Sequence, residues 1–142
     1  MIIAVDFDGT CVTHEYPAVG KERPYAASAM RALVEAGHKL ILYTMRSGLE
    51  LQDAVEWFAE RNIPLWGVNC NPEQHRWTSS PKVYANLYID DAALGAPLSF
   101  FDDGSRPAVN WTAVVFDLRL RGVLPKHIAL DVGLSPKTVA KE

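Results

Sequence analysis

Two carboxylates follow directly on an apolar run near the start of the chain. The run 2–5 is Ile-Ile-Ala-Val, and Asp6, Asp8, Gly9 and Thr10 come immediately after it. Such a run is typical of a strand that is buried on both faces. An ionised carboxylate at its end must therefore be hydrogen-bonded or bound to a cation. Side chains two residues apart in a strand point the same way, and the glycine lets the backbone turn close to a ligand. The pattern predicts a site for a hard cation and an anionic substrate.

Two further polar groups stand where later predicted strands end. Thr44 and Arg46 follow the second strand, and Asp90 and Asp91 close the fourth. In parallel sheets that are flanked by helices, ligands bind beyond the carboxyl ends of the strands. We therefore expect both groups to meet Asp6 at one edge of a sheet.

The elements that must position these residues alternate between strand and helix patterns. Strands are predicted at 2–6, 38–43, 65–68 and 86–90, with a fifth indicated at 97–101. Helical patterns cover 24–37, 51–59 and 111–118, whereas 11–23 and 69–81 lack a period and are predicted loops. Strands separated by helices favour a parallel sheet with right-handed crossovers. The predicted fold class is α/β: a three-layer α/β/α sandwich of the Rossmann type with a central parallel sheet.

Length and composition indicate an ordinary globular domain. The chain has 142 residues, of which 49% are hydrophobic and 22% charged, and this balance argues against disorder. No apolar stretch approaches the roughly 18 residues of a membrane span, so no membrane partner is expected. The first residues lack a basic flank and a cleavage site. With only two cysteines, Cys11 and Cys70, no disulfide framework is expected, and a cytoplasmic location is predicted.

The charge is divided unevenly along the chain. The net charge is −3, but residues 119–142 contain five basic and two acidic side chains, which leaves −6 for residues 1–118. A body of this charge disfavours nonspecific nucleic-acid binding, which would have to use the tail. Residues 128–139 resemble the core of a helix-turn-helix, yet a recognition helix there would be only about two turns long. We therefore predict a catalytic domain at 1–122 and a C-terminal helical extension at 123–142 that packs on it.

The oxygen ligands at the predicted sheet edge suit one cation in particular. Acids that converge repel one another unless a cation lies among them, and oxygen ligands without a Cys/His set favour Mg²⁺ over Zn²⁺. Mg²⁺ is usually held by one or two carboxylates, waters and a substrate phosphate, which leaves a carboxylate for chemistry. An aspartate can attack a phosphoryl group to form an aspartyl-phosphate, which water hydrolyses. Thr44 and Lys82 are candidates for the hydrogen-bond donor and the positive charge that this step needs.

Four segments in order resemble the motifs of the haloacid dehalogenase-like (HAD) phosphohydrolases. Residues 6–10 (Asp-Phe-Asp-Gly-Thr) resemble the first motif, and residues 40–44 look like the second, an apolar strand that ends in Ser or Thr. Lys82 resembles the lysine of the third motif, and residues 87–91 resemble the fourth, a strand followed by an acid pair. The order and spacing agree over residues 1–95.

This resemblance implies a role for each matching residue in catalysis. Asp6 would be the nucleophile and a metal ligand. Asp8 would be the general acid/base, and its main-chain carbonyl would also contact the metal. Lys82 would neutralise the charge of the nucleophile and the phosphate.

The resemblance also implies how phosphate and metal would be bound. Thr44 and the backbone amides of Phe7 and Gly9 would bind the phosphoryl oxygens. Asp90 would hold Mg²⁺, with Asp91 as a second ligand or as a partner of the ligands.

Residues outside the motifs leave alternatives open. Arg46 is expected either to be exposed or to contact phosphate or substrate. The four histidines show no ligand spacing and are expected in surface or loop positions, although His14 and Tyr16 lie where they could touch substrate. Asp102 and Asp103 stand among turn-forming residues, so a turn is predicted there.

HAD proteins usually carry a cap domain, for which this chain has no room. The two insertion points, 11–23 and 69–81, are each too short to fold alone, so a capless member is predicted. An open site would suit a large or exposed substrate, or a partner that completes the cavity. Trp77 and Tyr84 could stack on a base, as could Trp66, for which core packing is the simpler explanation.

The predicted function is a Mg²⁺-dependent phosphatase, a hydrolase that acts through an aspartyl-phosphate on Asp6. The alternative is a regulatory or nucleic-acid- or protein-binding module with a structural Mg²⁺ site and a helical tail. Phosphoryl transfer to an acceptor other than water has the same sequence pattern. The pattern does not identify the phosphorylated substrate or the oligomeric state.

Overall fold

The computed structural model describes residues 1–133 and contains four parallel strands, two short antiparallel strands and three α-helices. In chain order the elements are β1 (Ile2–Val5), α1 (Ala26–Glu35), β2 (Lys39–Leu42), α2 (Gly48–Glu60), β3 (Gly67–Val68), a 3₁₀ helix (Gln74–Arg76), β4 (Leu87–Ile89), β5 (Leu98–Ser99), β6 (Ala108–Val109) and α3 (Trp111–Leu120). The predicted alternation of strand and helix is confirmed. The strands of the sheet are shorter than predicted.

The central sheet has the order β3-β2-β1-β4, and all its strands are parallel. In β1, Ile3 pairs with Leu40 of β2 and with Leu87 of β4. Because β1 lies in the middle and all strands run the same way, the residues that follow β1, β2 and β4 meet at one edge.

The two faces of the sheet are covered differently. Ile3 and Val5 lie in the main core together with buried residues of all three helices. The opposite face carries Ala4, and there the cover comes from Val83 and Ala85 in the connection between β3 and β4. Right-handed crossovers that proceed in one direction place their helices on one face, and the return connection must cross the other. The molecule therefore has three layers, and the layer opposite the α-helices contains the 3₁₀ helix.

Local chemistry explains where the helices begin and end. α1 stops before Gly37, whose φ of 97° lies in the left-handed region that favours glycine. The side chain of Asn110 caps α3 by accepting a hydrogen bond from the Ala113 amide at 3.3 Å. Within residues 1–133, no helix has the length and apolar character needed to cross a membrane.

The fifth predicted strand exists but lies outside the central sheet. β5 pairs antiparallel with β6, a strand that the sequence did not predict because two residues cannot establish a period. The predicted turn at Asp102 and Asp103 connects the two strands, and the Asp103 carboxylate accepts a hydrogen bond from the Ser105 amide at 2.9 Å.

The described part of the predicted C-terminal extension is not helical. Residues 123–133 form turns and irregular chain, and Val123 and Leu124 are buried in the main core. The chain then passes over the start of α1, where Ser28 Oγ donates to the carbonyl of Asp131 at 2.7 Å. The rest of the extension, with most of the predicted helix-turn-helix, lies outside the described residues.

Candidate active site

Three of the predicted metal ligands converge at the carboxyl edge of the sheet. Asp6 follows β1, and Asp90 and Asp91 follow β4. The ladder continues beyond the strands, because the Asp6 amide donates to the carbonyl of Ile89 at 3.0 Å. One carboxylate oxygen of each aspartate lies within 4.8 Å of the other two. The structure thus brings together side chains that are up to 85 positions apart in the sequence.

The surroundings of the Asp6 carboxyl favour its protonated form when no positive charge is near. Burial, the charge of Asp90 and a hydrogen bond with Asp91 raise the pKa of Asp6 to about 8, against hydrogen bonds from Thr10 and from the Phe7 backbone that lower it. Carboxylate oxygens are ligands of the kind that Mg²⁺ prefers, and Mg²⁺ usually takes one or two of them together with waters and a substrate phosphate. The arrangement therefore fits the predicted cation.

Thr10 joins the two strand ends, a role that the sequence did not assign to it. Its side chain is fully buried, and Oγ1 donates to Asp6 Oδ2 at 3.0 Å. The same oxygen accepts the Asp91 amide at 3.1 Å. The Thr10 carbonyl accepts a hydrogen bond from the indole of Trp111 at 2.7 Å, which anchors the turn to α3. In the sequence, this role was indicated only by the position of Thr10 in the turn directly after Asp8 and Gly9.

His14 lies in a loop, as predicted, and its side chain contacts the acid cluster, which the absence of ligand spacing did not indicate. Its Nε2 lies 2.9 Å from Asp91 Oδ2, and each of the two side chains is 13% exposed. Gly9 makes the approach possible, because a Cβ there would overlap the His14 imidazole. Its φ of 78° is also a conformation that glycine tolerates best. The flap, defined here as residues 11–23, is thereby connected to the acid cluster.

Asp8 is separated from the cluster by an ion pair. Arg46 donates from Nε to Asp8 Oδ2 and from Nη2 to Asp8 Oδ1, both at 2.8 Å. This bidentate geometry is the strong form of the arginine–carboxylate pair. The Asp8 carboxylate is therefore not one of the grouped metal-ligating side chains, and the predicted metal contact through its main-chain carbonyl stays a prediction.

The predictions for Arg46 are wrong. The residue is 2% exposed, and its pKa is raised by the hydrogen bonds to Asp8. Its remaining guanidinium N–H groups donate to the carbonyls of Pro17, Ala18 and Glu50 at 2.7–3.2 Å. All five N–H donors of the side chain are thus used within the protein. None is left for a substrate phosphate, because the flap folds over Arg46.

The two backbone amides predicted to bind phosphoryl oxygens differ in the groups that they face. The Gly9 amide donates to the Val12 carbonyl at 2.7 Å, so that prediction is wrong for this arrangement. The Phe7 amide faces the Asp6 carboxylate and helps to lower its pKa, so it borders the predicted phosphate position. The Phe7 side chain lies in the core.

Thr44 follows β2 at the same edge of the sheet, and Lys82 lies on the face that carries Tyr88, but neither residue contacts the cluster. Thr44 Oγ1 accepts the Arg46 amide at 3.2 Å, which fits a turn and leaves its hydroxyl proton for another acceptor. Lys82 is exposed, and its Nζ lies 5.9 Å from the centre of the Tyr88 ring. Tyr88 is two residues before Asp90, so both point to one face. Within residues 1–133, Lys82 forms no ion pair with the aspartates.

Comparison with known proteins relates this chain to one solved structure. No protein-family model matches the chain, and no curated protein does. A conserved protein of Bacteroides thetaiotaomicron is similar to it, with 35% sequence identity and a TM-score of 0.67. The similarity covers 86% of this chain and 91% of that one. The chain therefore belongs to the same family as this conserved protein.

Proposed function

We propose that the protein is a Mg²⁺-dependent phosphohydrolase that forms an aspartyl-phosphate on Asp6. The observation that carries the proposal is the convergence of Asp6, Asp90 and Asp91 within 4.8 Å at the carboxyl edge of the sheet. The four segments that resemble the HAD motifs support it, because the first and the fourth supply the three converging aspartates and Thr10 between them. The enzyme would be a phosphoric monoester hydrolase.

The three aspartates would hold the ion, each through one oxygen. When bound, Mg²⁺ supplies the positive charge that keeps the carboxylates ionised and stabilises the charge on the phosphoryl oxygens. Thr10 orients Asp6 through its hydrogen bond to Oδ2. The Phe7 amide and the Thr44 hydroxyl would donate to phosphoryl oxygens, and Lys82 would extend from its exposed position towards the phosphate.

The reaction would proceed in two displacements. In the first, a carboxylate oxygen of Asp6 forms a bond to phosphorus, the bond to the leaving oxygen breaks, and that oxygen takes a proton from Asp8. In the second, the oxygen of a water molecule attacks phosphorus and Asp8 accepts the proton of the water. The bond between Asp6 and phosphorus then breaks and inorganic phosphate leaves.

The ion pair between Asp8 and Arg46 places a condition on this scheme. Both oxygens of Asp8 accept hydrogen bonds from Arg46. To carry a proton, one Asp8 oxygen must exchange its Arg46 contact for the leaving group or the water. The guanidinium can remain in place meanwhile, because three main-chain carbonyls also hold it.

The test is hydrolysis of a simple phosphate ester with Mg²⁺ and with EDTA. We expect phosphate release that requires Mg²⁺ and that Asp6→Asn abolishes, because an amide oxygen is a poor nucleophile towards phosphorus. Asp102→Asn, in the turn between β5 and β6, is the matched control and should retain activity. Circular dichroism checks that both variants are folded. Unchanged hydrolysis by Asp6→Asn would remove the nucleophile from the proposal.

The proposal includes a cellular location. Cys11 is a buried free thiol and Cys70 an exposed one, and an exposed thiol is kept reduced most readily in the cytoplasm. We therefore place the reaction there, with a phosphorylated compound as substrate.

A further inference from the structure

A groove of about 310 Å³ opens on the face of the sheet that the α-helices do not cover. Its lining includes Trp77, Lys82, Tyr84 and Tyr88, and comes from β4 and the connection that precedes it. This volume is near the lower end of the range for small-molecule sites. Among its lining residues, the reaction proposed above uses only Lys82.

Tyr88 of the groove and its neighbour Tyr43 flank β1 close to its end at Asp6. Tyr88 pairs with Ala4, so Asp6 lies two residues further along β1 on the same face. Tyr43 follows β2, and its amide donates to the Val5 carbonyl at 2.9 Å, which places it beside Asp6 in the ladder. The centres of the two tyrosine rings are 6.4 Å apart. The alanine between them is small enough for the rings to approach each other across β1.

The aromatic side chains of the groove present open ring surface. Trp77 is 63% exposed, and Tyr84 and Tyr88 are 41% and 40% exposed. Trp77 and Tyr84 meet edge to face with their ring centres 5.5 Å apart, which leaves ring faces uncovered. Exposed apolar surface that is contiguous and rimmed by polar groups marks binding sites. Ring faces of this kind stack on flat aromatic ligands and tolerate differences in ring type.

A buried glutamine holds the groove in shape. Gln74 is 8% exposed, and its side-chain amide donates to the carbonyls of Ser80 at 3.1 Å and Lys82 at 2.6 Å. Its side-chain oxygen accepts the Tyr84 amide at 2.8 Å. One side chain thus fixes the backbone on both sides of Lys82. A site that is ordered before binding avoids part of the entropy cost of ordering it on binding.

We infer that the groove binds the flat aromatic part of a phosphate ester, such as the base of a nucleoside monophosphate, whose phosphate lies at Asp6. Lys82 supplies the complementary charge, because it lies at the groove on the same sheet face as the acid cluster. This inference rests on the proposed function for the position of the phosphate. The groove itself can be tested separately.

The experiment compares two ligands that differ only by the base. AMP and ribose 5-phosphate are used as substrates with Mg²⁺, and their dissociation constants are measured by calorimetry in the presence of Mg²⁺. We expect a preference for AMP of roughly 5- to 150-fold in kcat/KM and in affinity, the range that stacking of one base gives. Trp77→Ala should reduce this preference towards unity. Phe100→Ala, an exposed aromatic residue that does not line the groove, should keep it.

The outcomes separate the groove from the catalytic proposal. Equal constants for AMP and ribose 5-phosphate, or an undiminished preference in Trp77→Ala, would overturn the groove assignment even if both esters are hydrolysed. Tighter binding of AMP that depends on Trp77, without any hydrolysis, would support the groove and contradict the phosphohydrolase. Phenyl phosphate is measured in the same way as a third ligand. If the protein prefers phenyl phosphate to AMP, the groove binds a small aryl group and not a nucleoside base.

Discussion

At the scale of single residues, the side chains of the site are held by hydrogen bonds to one another. Thr10 bridges Asp6 and Asp91, while His14 contacts the outer oxygen of Asp91. Residues that contact a metal-ligating carboxylate in this way fix its orientation and so raise the affinity for the ion. His14 is therefore a positioning residue for Asp91.

Removal of the imidazole should weaken cation binding. We expect His14→Ala to raise the dissociation constant for Mg²⁺ by about tenfold, the lower limit for the loss of such a partner. His14→Gln, whose side-chain amide can donate to Asp91, should recover part of the loss. Calorimetric titration with Mg²⁺ measures both effects. His75→Ala, at an exposed position in the 3₁₀ helix, is the control, and equal affinity in His14→Ala and the control would show that His14 does not orient Asp91.

At the scale of elements, side-chain contacts at several places fix the flap to the rest of the molecule. His14 contacts Asp91, Arg46 donates to the carbonyls of Pro17 and Ala18, and Glu22 forms an ion pair with Arg61 at the end of α2. At the end of the flap, Arg23 Nε donates to the Val109 carbonyl at 3.1 Å. Residues 11–23 form no helix or extended strand, so these contacts replace the hydrogen bonds of regular structure. Arg46 also connects the flap with Asp8 and with the first turn of α2.

Replacement of Arg46 by lysine should therefore destabilise the protein and release the flap. A lysine keeps the charge but cannot donate to two carboxylate oxygens and three carbonyls at once. We expect the free energy of unfolding to fall by about 3 kcal/mol, the cost of breaking a buried ion pair. Arg121→Lys, in an exposed pair with Asp117, should change it by less than about 0.5 kcal/mol.

Urea denaturation measures both free energies of unfolding. Hydrogen exchange of residues 11–23 reports the release of the flap, which should exchange faster in Arg46→Lys only. A loss of stability no larger than that of the control would mean that the buried pair does not hold the flap in place.

At the scale of the whole molecule, the acid cluster makes stability depend on pH and on the cation. The pKa of Asp6 is about 8 in the folded chain, against an ordinary value of 3.8. Between these values the folded protein keeps a proton that the unfolded chain releases, so the free energy of unfolding falls as pH rises from about 4 to about 8. A cation that binds only the folded state adds stability, and more of it where the carboxylates are ionised.

Denaturation at pH 5 and pH 8 tests this linkage. In EDTA we expect the unfolding temperature of the unmodified protein to fall between these two pH values by more than that of Asp6→Asn, whose amide does not titrate. Addition of Mg²⁺ at pH 8 should raise the unfolding temperature of the unmodified protein and have less effect on the variant. The same pH dependence for both proteins in EDTA would contradict the assigned pKa of Asp6.

The order of the elements and the convergence of three aspartates followed from local patterns. Apolar runs mark buried strands, and the parallel direction of β1 and β4 brings Asp6 together with Asp90 and Asp91 wherever the chain runs between them. The convergence depends on the direction of the strands, which the alternation of strand and helix patterns predicts, and on the alternation of side chains along each strand. The exact limits of the elements and the two-residue strand β6 were missed because such short segments have no period.

The partners of Asp8 and Asp91 were decided by the tertiary structure. Arg46 stands four residues after β2, where an arginine is expected to be exposed, and it is buried here because the flap folds back over it. His14 reaches Asp91 because Gly9 leaves space, although 77 positions separate the histidine and the aspartate. The path of an irregular loop depends on long-range contacts that no local period encodes, and so the convergence of the three aspartates was predictable whereas the residues that contact them were not.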